Sequence, residues 1–348
     1  MKKIEELLDS GEFARALALL KKTGAPAKTP RGLFLKGEAL RGLGLFAGAI
    51  GEYQASRGAS ADTGLKLETL LSETRCHRAL GNEKQALSTA RSALSLSKKY
   101  GAYKQEAGLE WALALRLTGR LEEAAALLEG LFLAYKRSGD HDGAAFTLWA
   151  LGGLYRLQGR YSEGIGAFEK SLTLAKKAGD EAAAGYALFG LGGILRVAGF
   201  MGRSLDCYVR ARKLFASTDD AFAKAYAECG TANVLRQLGR LEEALAGYTR
   251  AHKLYSALSD WADLGFVEWG MGEIRKRGGD FPAALGHYRK AEALFKGRSE
   301  PRGEALTKLS LATLYYLAGD TVKAEKAHES AMKFIRLHGL HTHLETFT

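Results

Sequence analysis

The stretch LGGLYRLQGRYSEGIGAFEKSLTLAKKAGD, residues 151–180, contains two amphipathic runs and the turns that end them. Gly159 closes the first run, and Gly179 and Asp180 close the second. A glycine that stops a helix and an aspartate that opens the next mark out a helix pair. The same punctuation continues along the chain. Glycines stand at 119, 159, 199, 239, 279 and 319, forty residues apart, with less regular forerunners at Gly11, Gly44 and Gly81. A small residue follows five positions later, as in Ala124, Gly164, Ser204, Ala244, Ala284 and Ala324. An aromatic often follows at nine: Tyr53, Phe168, Tyr208, Tyr248, Tyr288. Asp140, Asp180, Asp220, Asp260 and Glu300 keep the same interval, placed to cap the following helix, and Pro301 suits a first helical turn.

Composition agrees with helices throughout. The 348 residues include only 4 Pro, and no run resembles a strand bounded by turn signals. The N-terminus, MKKIEELLDSGEF, is charged and lacks the apolar segment of a signal peptide, and no window is apolar enough to span a bilayer. Cys76, Cys207 and Cys229 are far apart and odd in number, so they read as small core or groove residues in a reducing compartment. A cytoplasmic protein without membrane insertion is the expectation. The net charge of +11 favours anionic partners, but the basic residues are spread along the chain, and a nucleic-acid site needs a localised patch.

The small residue of the first helix, the turn glycine, the small residue of the second helix and its aromatic resemble a tetratricopeptide repeat. The forty-residue period is similar to the extended repeats of kinesin light chains and spindle-orientation adaptors, and to helical-repeat sensors of bacterial peptide signals. The resemblance spans essentially the whole chain. It implies an all-α fold, a right-handed α-α superhelix of about nine helix pairs, with helix A of each pair on the concave surface and helix B on the convex one. One pair cannot bury both apolar faces, so each stacks on its neighbours. The expectation is a single solenoid over 1–348. Residues 1–28 form an N-terminal capping pair, 29–300 the repeats, 301–337 a C-terminal capping repeat and 338–348 a tail.

In ALFGLGGILRVAGF, residues 187–200, three glycines sit inside a helix, each costing about 1 kcal/mol relative to alanine. At 100° per residue Gly192 falls on the packing side with Gly37, Gly152 and Gly272. Gly190 and Gly193, with Gly153, Gly230 and Gly270, fall on the concave side. Two accounts stand for these: a floor cleared for a ligand, or small residues forced by tight curvature. Beside them run two aromatic rows, Phe146, Tyr186, Tyr226 and Phe266, then Trp149, Phe189, Cys229 and Trp269. Such a stripe is a core feature or a binding shelf.

Three residues before the turn glycine stand Arg41, Arg78, Arg116, Arg156, Arg196 and Arg236, then Lys276 and finally Tyr316. A cation in a last helical turn gains about 0.3–1 kcal/mol from the macrodipole. The dipole, however, does not distinguish arginine from lysine, and the row does. A guanidinium fork fits carboxylate or phosphate and stacks on rings. The candidate groove is therefore Phe146, Trp149, Gly153, Arg156, Tyr186, Phe189, Gly193, Arg196, Tyr226, Asn233, Arg236, Phe266, Trp269, Glu273 and Lys276. It suits an extended, acidic or apolar-acidic peptide segment of a protein partner. An anionic small molecule, a lipid or single-stranded nucleic acid is the alternative occupant.

No Walker loop, Rossmann fingerprint, HExxH, CxxC or nucleophile elbow is present, so no cofactor and no catalysis are expected. Glu110, Glu228, Glu268 and Glu273 read as surface or interhelical ion-pair residues. His338, His341 and His343 read as a frayed tail rather than a metal site. The reading is a non-catalytic scaffold or adaptor. A sensor built this way would signal through another chain, since neither a helix-turn-helix nor a catalytic appendage is present.

Overall fold

The computed structural model describes residues 1–296 and 300–340. Among these it forms eighteen α-helices in nine consecutive pairs and no strand. The first pair is α1 (Lys2–Asp9) and α2 (Phe13–Lys22), followed by a 3₁₀ turn at Ala25–Lys28. Next come α3 (Pro30–Gly42) with α4 (Phe46–Ala59), α5 (Thr63–Ala79) with α6 (Glu83–Tyr100), and α7 (Lys104–Leu117) with α8 (Leu121–Ser138). Then follow α9 (His141–Leu157) with α10 (Tyr161–Ala178), and α11 (Glu181–Val197) with α12 (Met201–Ala216). The last three pairs are α13 (Ala221–Gln237) with α14 (Leu241–Leu258), α15 (Trp261–Arg277) with α16 (Phe281–Lys296), and α17 (Pro301–Leu317) with α18 (Thr321–Leu337).

The forty-residue glycines are explained by backbone geometry. From Gly119 to Gly319 all six sit at φ between 74° and 87°, a left-handed conformation that costs other residues about 1–2 kcal/mol. At each, the chain folds back on the helix end. Gly159 N–H donates to the Arg156 carbonyl at 3.3 Å and Arg160 N–H to that of Tyr155 at 2.8 Å, satisfying carbonyls the helix leaves unpaired. The aspartates act where the sequence places them: Asp140 accepts from Gly143 N–H at 2.8 Å, Asp180 from Ala183 at 2.8 Å and Asp260 from Asp263 at 3.1 Å. Glu300 makes no side-chain cap, and Pro301 alone marks that start.

The chain divides into two compact units, Met1–Ile194 with Lys213–Ala221, and Leu195–Arg212 with Phe222–Thr348. In the first, successive helices pack in order from α1 to α10, and the A helices also touch across repeats: α1 with α3, α3 with α5, α5 with α7, α7 with α9. In the second, α14 to α18 pack in order and α15 touches α17. Within each unit the A helices therefore make the tighter row.

Rings from the B helices fill the space between repeats, and glycines make that possible. In the first unit Phe168 on α10 lies between α9 and α11. A Cβ on Gly152 would stand 2.7 Å from the ring, and one on Gly190 2.6 Å from its Cζ. In the second unit the same closeness holds between Tyr208 and Gly230, Tyr248 and Gly270, and Tyr288 and Gly272. Gly190, Gly230 and Gly270 thus belong to the packing layer and not to a groove wall, which corrects the expectation from the helical wheel. The wheel sorts residues by one axis, whereas a helix such as α15 is clamped by rings from two B helices, Tyr248 at Gly270 and Tyr288 at Gly272. Burying such a ring contributes about 3 kcal/mol, more than the cost of the two glycines that admit it. Phe168 is 2 % exposed and Tyr248 0 %.

A candidate ligand-binding wall

The residue three before each turn glycine lies in the last turn of an A helix, and its fate differs along the chain. In the first unit Arg41 is paired: its Nη2 lies 2.6 Å from Glu38 Oε2, and Glu38 also accepts from the Tyr53 and Ser72 hydroxyls. Burial pushes the Glu38 carboxyl up, but the Arg41 charge and these hydrogen bonds outweigh it and hold the group at about 2. Arg78 Nε lies 3.0 Å from Glu110, whose other oxygen accepts from Arg75 at 2.8 Å. Neither cation is open to a guest, contrary to an uninterrupted row of waiting forks.

Arg116 is different. No described acid pairs with it; burial lowers it to about 10, and the charges of Arg78 and Arg156 push the same way. Its Nη1 would be 2.9 Å from a Cβ on Gly153. The glycine of one repeat therefore makes room for the arginine of the repeat before. Arg156 and Gly193 are half-buried. Along the same face Phe146 is 42 % exposed and its ring centroid lies 5.4 Å from that of Trp149. The Trp149 indole N–H donates to the Tyr186 carbonyl at 3.1 Å. Tyr186 packs on Phe215 of α12 at 5.2 Å and its hydroxyl donates to Asp220 at 2.5 Å. Phe189 is half-buried.

In the second unit Arg236 is 3 % exposed. Its Nε donates to the Tyr248 hydroxyl at 3.2 Å, its guanidinium lies 4.9 Å from the centre of the Trp269 ring, and Tyr248 donates onward to Asn233 at 2.7 Å. Arg196 Nε is buried with no hydrogen-bond partner. The half-buried Cys229 accepts from the Asn233 amide at 3.7 Å; burial pushes its thiol up to about 12, with Arg196 and Arg236 opposing too weakly to reverse the shift. Lys276 Nζ lies 2.9 Å from Glu273, which also accepts from Tyr288 at 2.6 Å and Ser310 at 2.8 Å. Glu273 and Lys276 therefore neutralise each other, and Asn233 is committed to Tyr248. Trp269 is 7 % exposed, its N–H given to Ser310 at 2.9 Å, while Tyr226 and Phe266 pack on Tyr255 and Phe295 at 5.9 and 4.8 Å. Of the expected aromatic shelf, Trp269 is thus buried, Trp149, Tyr186, Phe189, Tyr226 and Phe266 are half-buried, and Phe146 is the most open ring.

A regularity the sequence carried but its reading missed links these networks. For three of the four B-helix tyrosines the A helix offers an acceptor three before its basic residue: Glu38 for Tyr53, Asn233 for Tyr248, Glu273 for Tyr288; in the repeat of Tyr208 that place is Gly193. Where the aromatic is Phe168, that place is Gly153. A buried hydroxyl needs a partner, and a phenyl ring does not. The other acids pair between helices as expected. Glu228 meets Arg250 at 2.8 Å, and Glu268 meets His252 at 3.1 Å and His287 at 2.7 Å. Among the described residues no His, Cys, Asp and Glu cluster could hold a metal and no helix is long and apolar enough to cross a membrane. His338 stacks on Phe334; His341 and His343 lie outside the described residues.

Two segments, 105–177 and 225–297, match the tetratricopeptide repeat family model. No curated protein matches the sequence. Among solved structures, a Rap protein complexed with competence and sporulation factor is similar over 82 % of this chain and 80 % of its own, with 18 % identity and a TM-score of 0.67. A signal-transduction ATPase with a tetratricopeptide repeat sensor from Pyrococcus horikoshii covers 97 % of this chain and 54 % of its own, at 17 % identity and 0.61. Aspartyl phosphate phosphatase F from Bacillus subtilis covers 80 % and 74 %, at 16 % and 0.57. At these identities the likeness is one of fold.

Proposed function

The chain carries tetratricopeptide repeats, and on that premise we propose that it is a non-catalytic scaffold whose A-helix face binds an extended peptide segment with acidic and apolar side chains. The observation that supports this reading is the split in the basic row. Arg41, Arg78 and Lys276 are neutralised by Glu38, Glu110 and Glu273. Arg116 and Arg236, in the central repeats, are held by a glycine surface and by aromatic rings, with no described acid against them. Arg116 in the first unit and Arg236 in the second thus each offer positive charge to a partner's carboxylates. In the first unit the open ring of Phe146, on the same helix as Gly153, offers an apolar contact. The crystallised Rap protein with its bound factor gives a precedent for this fold carrying a ligand. We place the protein in the cytoplasm, with the partner a protein or peptide.

Fluorescence anisotropy with labelled twelve-residue peptides tests the reading. Peptides alternating Glu or Asp with Leu or Phe are expected to bind, and Lys-substituted counterparts are not. The triple variant Arg156→Gln, Arg196→Gln, Arg236→Gln, checked for helicity by circular dichroism, is expected to lose most of that affinity. Equal binding of both peptide sets, or a folded triple variant with undiminished affinity, contradicts it.

A further inference from the structure

We infer that the first-unit part of this wall selects spacing as well as composition: it takes an extended peptide whose apolar and acidic residues stand two or three positions apart. This rests on the peptide reading above and adds a register to it. Two fixed points on the wall set the distance. One is the corner formed by Phe146 and Trp149 on α9, whose ring centroids lie 5.4 Å apart. Phe146 is 42 % exposed, and the hydrogen bond from the Trp149 indole to the Tyr186 carbonyl at 3.1 Å holds the second ring in place. The other is the Arg116 guanidinium, whose Nη1 lies 2.9 Å from a Cβ position on Gly153 of the same helix.

Phe146, Trp149 and Gly153 follow at helical spacing, so they lie along one stripe of α9. At 1.5 Å per residue Gly153 stands about 6 Å from Trp149 and about 10 Å from Phe146 along the axis. An extended chain advances about 3.3–3.6 Å per residue, so two or three residues cover that gap. The neighbouring helix carries charge that favours the same placement. Glu106 lies in the first turn of α7 and Arg116 in its last. In the forty-residue repeat Glu106 corresponds to Phe146 and Arg116 to Arg156, so a carboxylate is repelled at the aromatic end and drawn to the arginine end. No described acid pairs with Arg116, and Gly153 lays bare backbone against its fork in place of a side chain. The half-buried guanidinium is thereby left for a guest carboxylate.

Fluorescence anisotropy on the full chain tests this with labelled peptides of one composition, each holding a single Phe and a single Glu among Ser and Gln. The Glu stands one, two, three or six positions after the Phe. Spacings of two and three are expected to bind about tenfold more tightly than one and six. Arg116→Met is expected to bring all four to the weaker level. Phe146→Ala, at an exposed ring, is expected to weaken the two tighter peptides most, and keeps the test valid should the arginine substitution impair folding. Arg120→Gln, an exposed arginine paired with Glu123, is the charge control and is expected to keep the wild-type preference. Equal affinity at all four spacings, or a preference that survives Arg116→Met, overturns the inference. Alternating acidic-apolar peptides that bind while the spacing series shows no preference leave the peptide reading standing; failure of both peptide sets to bind overturns both readings.

Discussion

Gly190→Ala adds one methyl group to the middle of α11. By helix propensity alone it stabilises by about 1 kcal/mol. The structure predicts the opposite sign. The new Cβ would stand 2.6 Å from Phe168 Cζ and 2.8 Å from Cδ1, where carbon atoms rest at about 3.5–4.0 Å. The ring must move by about 1 Å, and its other side already lies close to the α9 backbone at Gly152, where there is no room even for a Cβ (2.7 Å). Overpacking of this kind costs about 1–3 kcal/mol, or more where neighbours cannot yield. The expected net change is a loss of about 1–2 kcal/mol. Gly166→Ala in α10 is the control: nothing lies within 4 Å of its added Cβ, so it is expected to gain up to about 1 kcal/mol. Urea denaturation of both variants separates the two signs. Phe168→Leu, which shortens the ring's reach, is expected to abolish most of the Gly190→Ala penalty, giving a coupling of about 1 kcal/mol or more in a double-mutant cycle. Gly190→Ala as stabilising as Gly166→Ala, or additive with Phe168→Leu, would refute the ring-between-glycines account.

Arg116 offers a second test. Its folded value of about 10 lies below the ordinary 12.5, so its charge penalises folding at every pH below about 10, and the penalty lifts as pH rises through 10 towards 12.5. Arg116→Met is therefore expected to raise stability at pH 7 by about 1–2 kcal/mol in urea titrations while weakening acidic-peptide binding; a less stable variant contradicts the assignment. Glu38 titrates the other way. Its carboxyl sits at about 2 against an ordinary 4.5, so its contribution is complete above 4.5 and is lost as pH falls from 4.5 towards 2. Glu38→Gln is expected to cost about 2–3 kcal/mol at pH 7 and to flatten that acid limb; superimposable acid limbs for variant and wild type would remove the Arg41–Glu38 pair as a source of stability.

The sequence by itself determined whatever depends on one helix and its ends. The forty-residue glycines had to be turns, since only they adopt the left-handed geometry without strain, and the aspartates before the A helices had to meet unpaired N–H groups. Helix pairing and the repeat period followed from that local chemistry. The glycine of the middle repeats was read on the wrong side because a wheel drawn for one helix cannot show the second ring that arrives from the preceding B helix. The basic row was read as uniform because position, not neutralisation, is what a repeat copies. Only the tertiary packing decided that Arg41 and Arg78 meet acids, that Arg236 lies against Trp269 and Tyr248, and that Arg116 rests over Gly153. The physical reason is range: caps and turns act within about one helical turn, whereas the charge of a buried group is set by atoms up to a whole repeat away in the chain.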